Sequence, residues 1–254
     1  MKIAVISDVH ANPTALEKVL VDAKEQGCER TICLGDIVGY GYDPVSCIDI
    51  CRKNNLLCVK GNHDAGLIGE LSLEWFSPTA RYGIEWQRGK VNEEHRRFLE
   101  ALAYNHTEEL GNRKVAFAHG SFNAPEYFDY IQNHLDAARE MWFMKERGYD
   151  ILFVGHTHYA STFVQDADEQ VSEFLLDDAP DLSVNLKNWA QAIVNVGSVG
   201  YPRNQRKSIY VIFDTEEMMV HYRSLSFDFR GYKDELIDRT LRIPLWLADF
   251  AERK

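Results

Sequence analysis

The sequence lacks any apolar run that approaches the roughly 20 residues needed to form a membrane-spanning helix. Its first residues, Met1-Lys2, lead directly into the strand-like run Ile3–Ile6, which has the wrong length and flanks for a signal peptide. We therefore expect a cytoplasmic protein with no membrane partner.

Positive charge is also in short supply. The chain has 28 Lys and Arg residues against 39 Asp and Glu residues, giving a formal net charge of −11. This balance disfavours binding of duplex nucleic acid, which requires a cationic surface. It does not exclude a phosphate substrate, because bound divalent ions can invert the local field of an acidic protein.

Cysteines are few, and none forms a C-x-x-C pair. The five are Cys28, Cys33, Cys47, Cys51 and Cys58, all in apolar surroundings. We predict reduced, mostly buried thiols. A zinc site built on Cys47 and Cys51 would lack a second pair of ligands.

What the sequence does contain is typical of a globular α/β protein. Its 254 residues are 45% hydrophobic and 26% charged, and they show no internal repeat and no low-complexity linker. One large core can account for this length. We predict a single domain over residues 1–254, with a helical C-terminal tail over about residues 230–254.

The first quarter of the chain alternates between strand and helix patterns. We predict strands over residues 1–7, 31–34 and 56–59, and helices over residues 14–26 and from 43 to about 54. Asn12-Pro13 and Asp43-Pro44 are typical helix starts. Strands separated by crossover helices indicate a parallel sheet.

The remainder is predicted from weaker patterns. Residues 78–103 and 133–147 are predicted to be helical, and residues 114–118, 151–154, 192–196, 208–213 and 218–222 to be strands. A helical tail over residues 232–253 contains Pro244, which would separate two pieces. Residues 166–181 are acidic and are expected to be an exposed insertion, either a mobile loop or a hairpin, with a substrate cover as the alternative.

Polar residues cluster where predicted strands end. Five strands lead into short segments that contain Asp, Asn or His: Asp8-Val9-His10, Gly35-Asp36, Gly61-Asn62-His63-Asp64, His119, and Gly155-His156-Thr157-His158. Each residue alone is more often a turn or hydrogen-bonded structural residue. In an open α/β sheet, however, ligands bind beyond the carboxyl ends of the strands. We therefore expect all five segments to converge on one edge of the sheet.

The residue types in these segments suit a metal centre. Carboxylate, imidazole and amide groups favour Mn, Fe, Zn, Co or Ni over Ca. Asp8 and His10 can share one ion, and Asp36 can bridge two ions about 3.5–4 Å apart. A hydroxide between two such ions is a strong nucleophile at neutral pH.

In order and type, these motifs resemble those of the calcineurin-like metallophosphoesterase superfamily. The resemblance extends over about residues 1–213. Three segments, Ser7–Asn12, Gly35–Gly41 and Asn195–Arg203, look like those of the small bacterial and archaeal predicted phosphodiesterases of that superfamily. The fold implied is α/β, a four-layer α-β-β-α sandwich of two mixed β-sheets.

The resemblance also implies a role for each candidate residue and two divalent transition-metal ions per chain. Manganese is the first expectation, and Fe, Zn, Ni, Co or Mg are alternatives. His63 looks like the catalytic histidine that contacts the phosphate, and Asp64 would orient it by accepting its other ring hydrogen. The implied metal ligands are Asp8, His10 and His158 for the first ion, Asn62, His119 and His156 for the second, and Asp36 as the bridge.

The sequence departs from the superfamily pattern at two points. Asp36 is followed by Ile37-Val38 where phosphoprotein phosphatases have Asp-Arg-Gly, which disfavours that branch. Val196 replaces the proline of an Asn-Pro-Gly-Ser segment. We interpret Asn195 and Ser198, on either side of it, as turn and strand-packing residues.

Two further features have alternative interpretations. Arg203 is either a phosphate-binding residue or an ordinary surface arginine. Tyr40, Tyr42, Phe122 and Tyr201 form either an aromatic wall for a nucleobase or ordinary loop and core packing.

The function predicted is metal-dependent hydrolysis of a small phosphodiester or phosphomonoester, such as a nucleotide. A dinucleoside polyphosphate is an alternative substrate. A non-catalytic interaction module and a nuclease are the other classes considered. Because His63 and all seven candidate ligands are present, an enzyme is favoured over the module, and the lack of a basic patch disfavours the nuclease.

Overall fold

The computed structural model describes residues 1–176, 182–203, 207–226 and 228–239. The strands are β1 (Lys2–Ile6), β2 (Arg30–Cys33), β3 (Leu57–Cys58), β4 (Asn105–Leu110), β5 (Arg113–Ala118), β6 (Ile151–Val154), β7 (Ser161–Gln165), β8 (Val171–Leu175), β9 (Ser183–Asn185), β10 (Gln191–Asn195), β11 (Lys207–Asp214) and β12 (Met219–Ser226). The α-helices are α1 (Pro13–Glu25), α2 (Pro44–Lys53), α3 (Asn62–Ile68), α4 (Pro78–Arg88), α5 (Glu93–Glu100), α6 (His134–Glu146) and α7 (Phe229–Asp238).

The first two helices begin where the sequence predicts. The Asn12 side chain accepts a hydrogen bond from the Ala15 amide, and the Asp43 carboxylate accepts one from the Ser46 amide. The predicted helix over residues 78–103 is instead two helices, α4 and α5. It is interrupted because Gly89 caps the end of α4 and the Asn92 side chain starts α5 by accepting from the His95 amide.

The described strands form two six-stranded sheets. The first has the order β3-β2-β1-β11-β12-β9 and the second the order β4-β5-β6-β10-β7-β8. β1, β2 and β3 are parallel, as predicted, and β11 joins them antiparallel to β1. In the second sheet β5, β6 and β10 are parallel, and β7 joins β10 in the antiparallel sense.

Three apolar clusters arrange the sheets and helices in four layers. The cluster between the sheets includes Val5 and Val211 from the first sheet and Phe117 and Phe153 from the second. Helices α1 and α2 cover the outer face of the first sheet, and α6 covers the outer face of the second. The predicted α-β-β-α sandwich is therefore confirmed.

The five cysteines are all free thiols. Cys33, Cys47 and Cys51 are buried, while Cys28 and Cys58 are half-buried. Burial raises the pKa of Cys28 to about 11. The prediction of mostly buried cysteines is confirmed, and their reduced state stays a prediction.

The acidic segment begins as a hairpin. β7 and β8 pair antiparallel, and the Asp166 carboxylate accepts hydrogen bonds from the amides of Asp168 and Gln170 in the turn. Asp177, Asp178 and Asp181 lie outside the described residues.

The C-terminal tail is helical over α7, and its remainder from residue 240, which includes Pro244, lies outside the described residues. Within the described part of the chain, no helix combines the length and the apolar character that crossing a bilayer demands.

Candidate dinuclear metal centre

The predicted convergence of the polar segments is confirmed, but they come from two sheets rather than one. The segments that follow β1, β2 and β3 leave the first sheet, and those that follow β5 and β6 leave the second, at the same end of the sandwich. Asn62 and His63 are the first residues of α3. Asn62 is half-buried, and the other eight candidate residues are buried.

Asp8, His10 and His158 form the first group. The Nε2 atoms of His10 and His158 are 3.1 Å apart, and Asp8 Oδ1 lies 3.1 Å from His158 Nε2 and 3.6 Å from His10 Nε2. Asp8 Oδ1 is buried and accepts no hydrogen bond from the described residues, whereas Oδ2 accepts one from the His156 amide. An unpartnered buried carboxylate oxygen beside two imidazole nitrogens fits a metal ligand set.

Backbone carbonyl groups fix the orientation of both imidazole rings in this group. His10 Nδ1 donates to the Val38 carbonyl at 3.1 Å, and His158 Nδ1 donates to the Tyr201 carbonyl at 2.6 Å. A carbonyl oxygen only accepts, so each Nδ1 carries the hydrogen and each neutral Nε2 presents a lone pair. Two lone pairs facing each other at 3.1 Å require a cation, either a proton or a metal ion.

The second group contains Asn62, His119 and His156. His119 Nε2 lies 3.1 Å from Asn62 Oδ1 and 3.1 Å from His156 Nδ1. His119 Nδ1 donates to the Leu34 carbonyl at 2.8 Å, which turns Nε2 toward the group.

Asp36 lies between the two groups. Its Oδ2 atom is 3.3 Å from His119 Nε2 and 3.7 Å from His10 Nε2. Its Oδ1 atom accepts a hydrogen bond from the His63 amide at 2.8 Å. This position is the one required of a carboxylate shared by two metal sites.

The electrostatics of the metal-free chain couple Asp36 to His119. Burial raises the pKa of Asp36, but the neighbouring imidazoles, His119 above all, more than offset this effect and hold that pKa below its usual range. Burial lowers the pKa of His119, but the Asp36 carboxylate more than offsets this effect and raises the pKa of His119 to about 9. Without metal, the pair is therefore a buried imidazolium and carboxylate.

His63 lies beside this pair, with Nε2 3.9 Å from Asp36 Oδ2. Burial lowers the pKa of His63 to about 3, so the ring is neutral near pH 7. Its Nδ1 has no hydrogen-bond partner among the described residues and faces Gly39, where an added Cβ would lie 2.0 Å from it.

The predicted hydrogen bond from His63 to Asp64 is wrong. Asp64 Oδ1 accepts from the amides of Ile37 and Val38, and Oδ2 accepts from the amide of Gly61. Burial raises the pKa of Asp64 to about 7. Asp64 thus ties the loop after β2 to the start of α3, and it positions His63 through the backbone.

The backbone at the candidate ligands is unusual. Asp8, His10, Asp36, His156 and His158 have φ values of 55°, 47°, 52°, 65° and 65°. Non-glycine residues seldom adopt this left-handed region, and such residues cluster at functional sites.

Two residues that we interpreted as structural hold the ligand loops. Asn195 Nδ2 donates to the Gly155 carbonyl at 2.7 Å and to Thr157 Oγ1 at 2.9 Å. Ser198 Oγ donates to the Asp8 carbonyl at 3.0 Å. Their packing role is confirmed, and it serves the candidate centre.

The four aromatic residues that form either a nucleobase wall or ordinary packing divide into two pairs. Tyr40 and Tyr201 stack with centroids 4.1 Å apart, and Tyr40 lies 4.8 Å from the rings of His10 and His63. Tyr42 and Phe122 instead contact Tyr232 and Tyr149, respectively, and neither ring contacts a candidate ligand.

Two exposed residues near the candidate centre are Tyr130 and Arg203. Tyr130, which sequence reasoning missed, stacks on His156. Arg203 is exposed, and after burial its charge is the largest influence on the pKa of both Tyr40 and Tyr130. Its positive charge lowers the pKa of both phenols, against the effect of burial.

Comparison with known proteins agrees with this geometry. A model of the calcineurin-like phosphoesterase superfamily domain matches residues 1–218, so the chain belongs to this superfamily. An uncharacterized protein of Methanocaldococcus jannaschii is 32% identical over 249 residues, covering 97% of this chain and 96% of that protein.

Solved structures show the same fold. A metallophosphoesterase from Sphaerobacter thermophilus has a TM-score of 0.81 at 31% identity, with 99% of this chain and 98% of that chain covered. A hypothetical protein from Pyrococcus horikoshii has a TM-score of 0.74 at 20% identity, with 97% and 96% covered. The second likeness concerns the fold alone.

Proposed function

We propose that this protein is a dinuclear metal-dependent phosphoesterase that hydrolyses a small phosphodiester or phosphomonoester. The observation that carries the proposal is the pair of facing ligand groups with Asp36 between them. The first group would hold one divalent ion and the second group the other. Manganese is our first candidate, because carboxylate, amide and imidazole ligands together suit first-row ions.

Two features of the first group support this assignment, because each needs a cation. They are the buried Oδ1 of Asp8, which has no hydrogen-bond partner among the described residues, and the facing Nε2 atoms of His10 and His158. Two ions held there would neutralise phosphate charge and lower the pKa of a water molecule that attacks phosphorus in line. His63 would donate a hydrogen bond to the phosphate or to the departing oxygen. The backbone contacts of Asp64 keep His63 at that position.

A small substrate is favoured over protein or duplex nucleic acid. The net charge of −11 opposes a polyanionic partner. A non-catalytic interaction module would have no need to keep His63 beside an intact ligand set. A dinucleoside polyphosphate remains within the proposed substrate class.

The proposal is tested with metal-stripped protein to which Mn²⁺ is returned. Hydrolysis of bis-p-nitrophenyl phosphate and p-nitrophenyl phosphate should appear only with metal. We expect His63→Ala to lower kcat about 100-fold or more, the range for loss of a hydrogen-bond donor to the transition state. Asp36→Asn should abolish activity. His106→Ala and Asp49→Asn are the matched controls. His106 contacts Glu108 and Phe117, and Asp49 contacts Arg52 and His95, none of which is a candidate ligand.

Hydrolysis that persists in His63→Ala and Asp36→Asn, or that needs no metal, would contradict the proposal. Two bound ions with no hydrolysis of either ester would favour an interaction module instead. If metal-dependent hydrolysis is found, the ratio of diester to monoester turnover will define the substrate class more closely.

A further inference from the structure

An exposed aromatic ring covers one of the candidate metal ligands. Tyr130 stacks on the His156 imidazole with a centroid distance of 3.8 Å and an interplanar angle of 15°. His156 is only 6% exposed, whereas Tyr130 is 47% exposed. One face of the tyrosine therefore rests on the centre, and its other face and edges meet solvent.

The loop that carries Tyr130 is fixed in place. The Ser121 amide donates to the Asp129 carbonyl at 3.1 Å. The backbone at residues 128 and 129 lies so close to Gly120 that an added Cβ there would be 2.8 Å from the Asp129 carbonyl oxygen. Phe128 is 4% exposed, and the edge of its ring packs against His119. These contacts hold the neighbouring tyrosine over His156.

The buried carboxylate of Glu140 also holds the loop that carries Tyr130. Glu140 on α6 is 3% exposed and accepts hydrogen bonds from the amides of Phe122 and Asn123 at 2.7 and 2.9 Å. A ring held in one orientation loses little conformational entropy when a ligand stacks on it. Tyr130 thus has the properties of a preorganised stacking platform.

The surroundings of Tyr130 suit a phosphate ester that carries a planar ring. His156 of the second candidate ligand group lies directly beneath its ring. Arg203, two residues after the Tyr201 that stacks on Tyr40, is exposed and supplies a positive charge. Tyr40, stacked on Tyr201, presents a second aromatic group next to His10 and His63. An anion is therefore attracted to the centre while an aromatic group finds a flat apolar surface beside it.

We propose that Tyr130 forms a stacking subsite for a planar aromatic group of the substrate, so that the preferred substrate is a nucleotide-like phosphate ester. This inference rests on the proposed function for the position of the phosphate. It assigns Tyr130 a role in specificity rather than in the chemical step. A purely structural role would be to shield His156 from water, which a leucine of similar reach would also do.

Binding to the Mn²⁺-loaded protein tests the subsite without turnover. Isothermal titration calorimetry would compare the non-hydrolysable phosphonate analogues of adenosine 5′-monophosphate and ribose 5-phosphate, which carry the same phosphonate group with and without the base. We expect the nucleotide to bind about tenfold more tightly, which corresponds to about 1.4 kcal/mol and lies within the range for base–aromatic stacking. Tyr130→Phe should keep this preference, and Tyr130→Leu should reduce it to near one.

The matched control is Tyr127→Leu on the same loop, because Tyr127 is 74% exposed and contacts no candidate ligand ring. This variant should retain the tenfold preference. Equal binding of the two ligands to the unaltered protein, no binding of the nucleotide, or an unchanged preference in Tyr130→Leu would each overturn the inference. Preference without hydrolysis of any ester would leave the subsite standing and remove the proposed enzyme, so the two failures are distinguishable.

Discussion

The candidate centre concentrates charge in buried positions. Asp8 and Asp36 are 0% and 1% exposed, and no described residue donates a hydrogen bond to Asp8 Oδ1. Buried charges persist in proteins when they are paired, hydrogen-bonded or bound to metal. The imidazoles of His10, His119 and His158 offer partial compensation, and two divalent ions would complete it.

A second property of the candidate centre is that the backbone at Gly155 lies very close to the Asp8 side chain. A Cβ added to Gly155 would lie 2.0 Å from Ser7 Oγ and 2.5 Å from Asp8 Oδ2. We expect Gly155→Ala to displace the Asp8 carboxylate and weaken Mn²⁺ binding about tenfold or more, the range seen when groups that support metal ligands are altered. Binding would be measured by titration calorimetry on metal-stripped protein.

Gly89→Ala provides the control, because its added Cβ would meet no atom closer than 3.7 Å. The same Mn²⁺ affinity in Gly155→Ala, Gly89→Ala and the unaltered protein would show that this close approach does not position Asp8.

The convergence of the candidate ligand residues could be predicted from the sequence because metal chemistry restricts such residues to a few types at strand ends. The contacts of Asp64 could not be predicted from the sequence. An adjacent Asp and His can hydrogen-bond to each other or to other groups, and the loop geometry decides between these arrangements. Tyr130 was missed for a related reason. Its position over His156 depends on the packing of Phe128 and Gly120, which no local pattern in the sequence encodes.

Among the structural elements, α4 supports the centre although it carries none of the candidate ligands. Gln87 on α4 is fully buried, and its side chain accepts from the Gly39 amide at 2.7 Å and donates to the Gly41 carbonyl at 2.8 Å. The loop it braces contains Val38, whose carbonyl orients His10. The helix thus sets the geometry of a ligand through one side chain.

We expect Gln87→Met to lower metal-dependent hydrolysis about tenfold while the fold is retained. Methionine fills a similar volume but leaves a buried amide and a buried carbonyl of this loop without partners. Turnover of bis-p-nitrophenyl phosphate and circular dichroism would be measured together. Gln170→Met, in the exposed turn between β7 and β8, is the control. Equal activity in both variants would show that the hydrogen bonds of Gln87 to the loop do not support hydrolysis.

The sequence predicted most elements, and the reasons for the exceptions are local. β1, β2, α1, α2 and β6 were found because their apolar spacing or end caps are strong. β4 was not, because Asn105–Leu110 is mostly polar at the edge of its sheet. α3 begins inside the motif at Asn62, where the residue types indicate ligands rather than a helix. β9 has three residues and depends on pairing with β12.

At the scale of the whole molecule, metal binding and stability are linked. In the metal-free chain a proton on His119 balances Asp36, and a metal ion would replace that proton. The folded-state pKa of His119, about 9, lies above its ordinary value of 6.5. Its contribution to stability is therefore complete below pH 6.5 and is lost as the pH rises through about 9.

The melting temperature of the chelator-treated protein should therefore fall between pH 7.5 and 9.5. This window lies above the pKa of Asp64, about 7, so most of the Asp64 titration is already complete. His119→Gln should show a distinctly smaller fall, because it lacks the titrating ring. Parallel falls in the two proteins would show that the pair does not stabilise the metal-free fold.

The central claim is a pair of metal ions bridged by Asp36, and one titration tests it most directly. Metal-stripped protein would receive Mn²⁺ in steps, with bound metal measured by elemental analysis and hydrolysis of bis-p-nitrophenyl phosphate measured on the same samples. We expect activity to reach its plateau when two ions are bound per chain, and Asp36→Asn to bind fewer and remain inactive. A plateau at one bound ion, or full activity in Asp36→Asn, would contradict the dinuclear account.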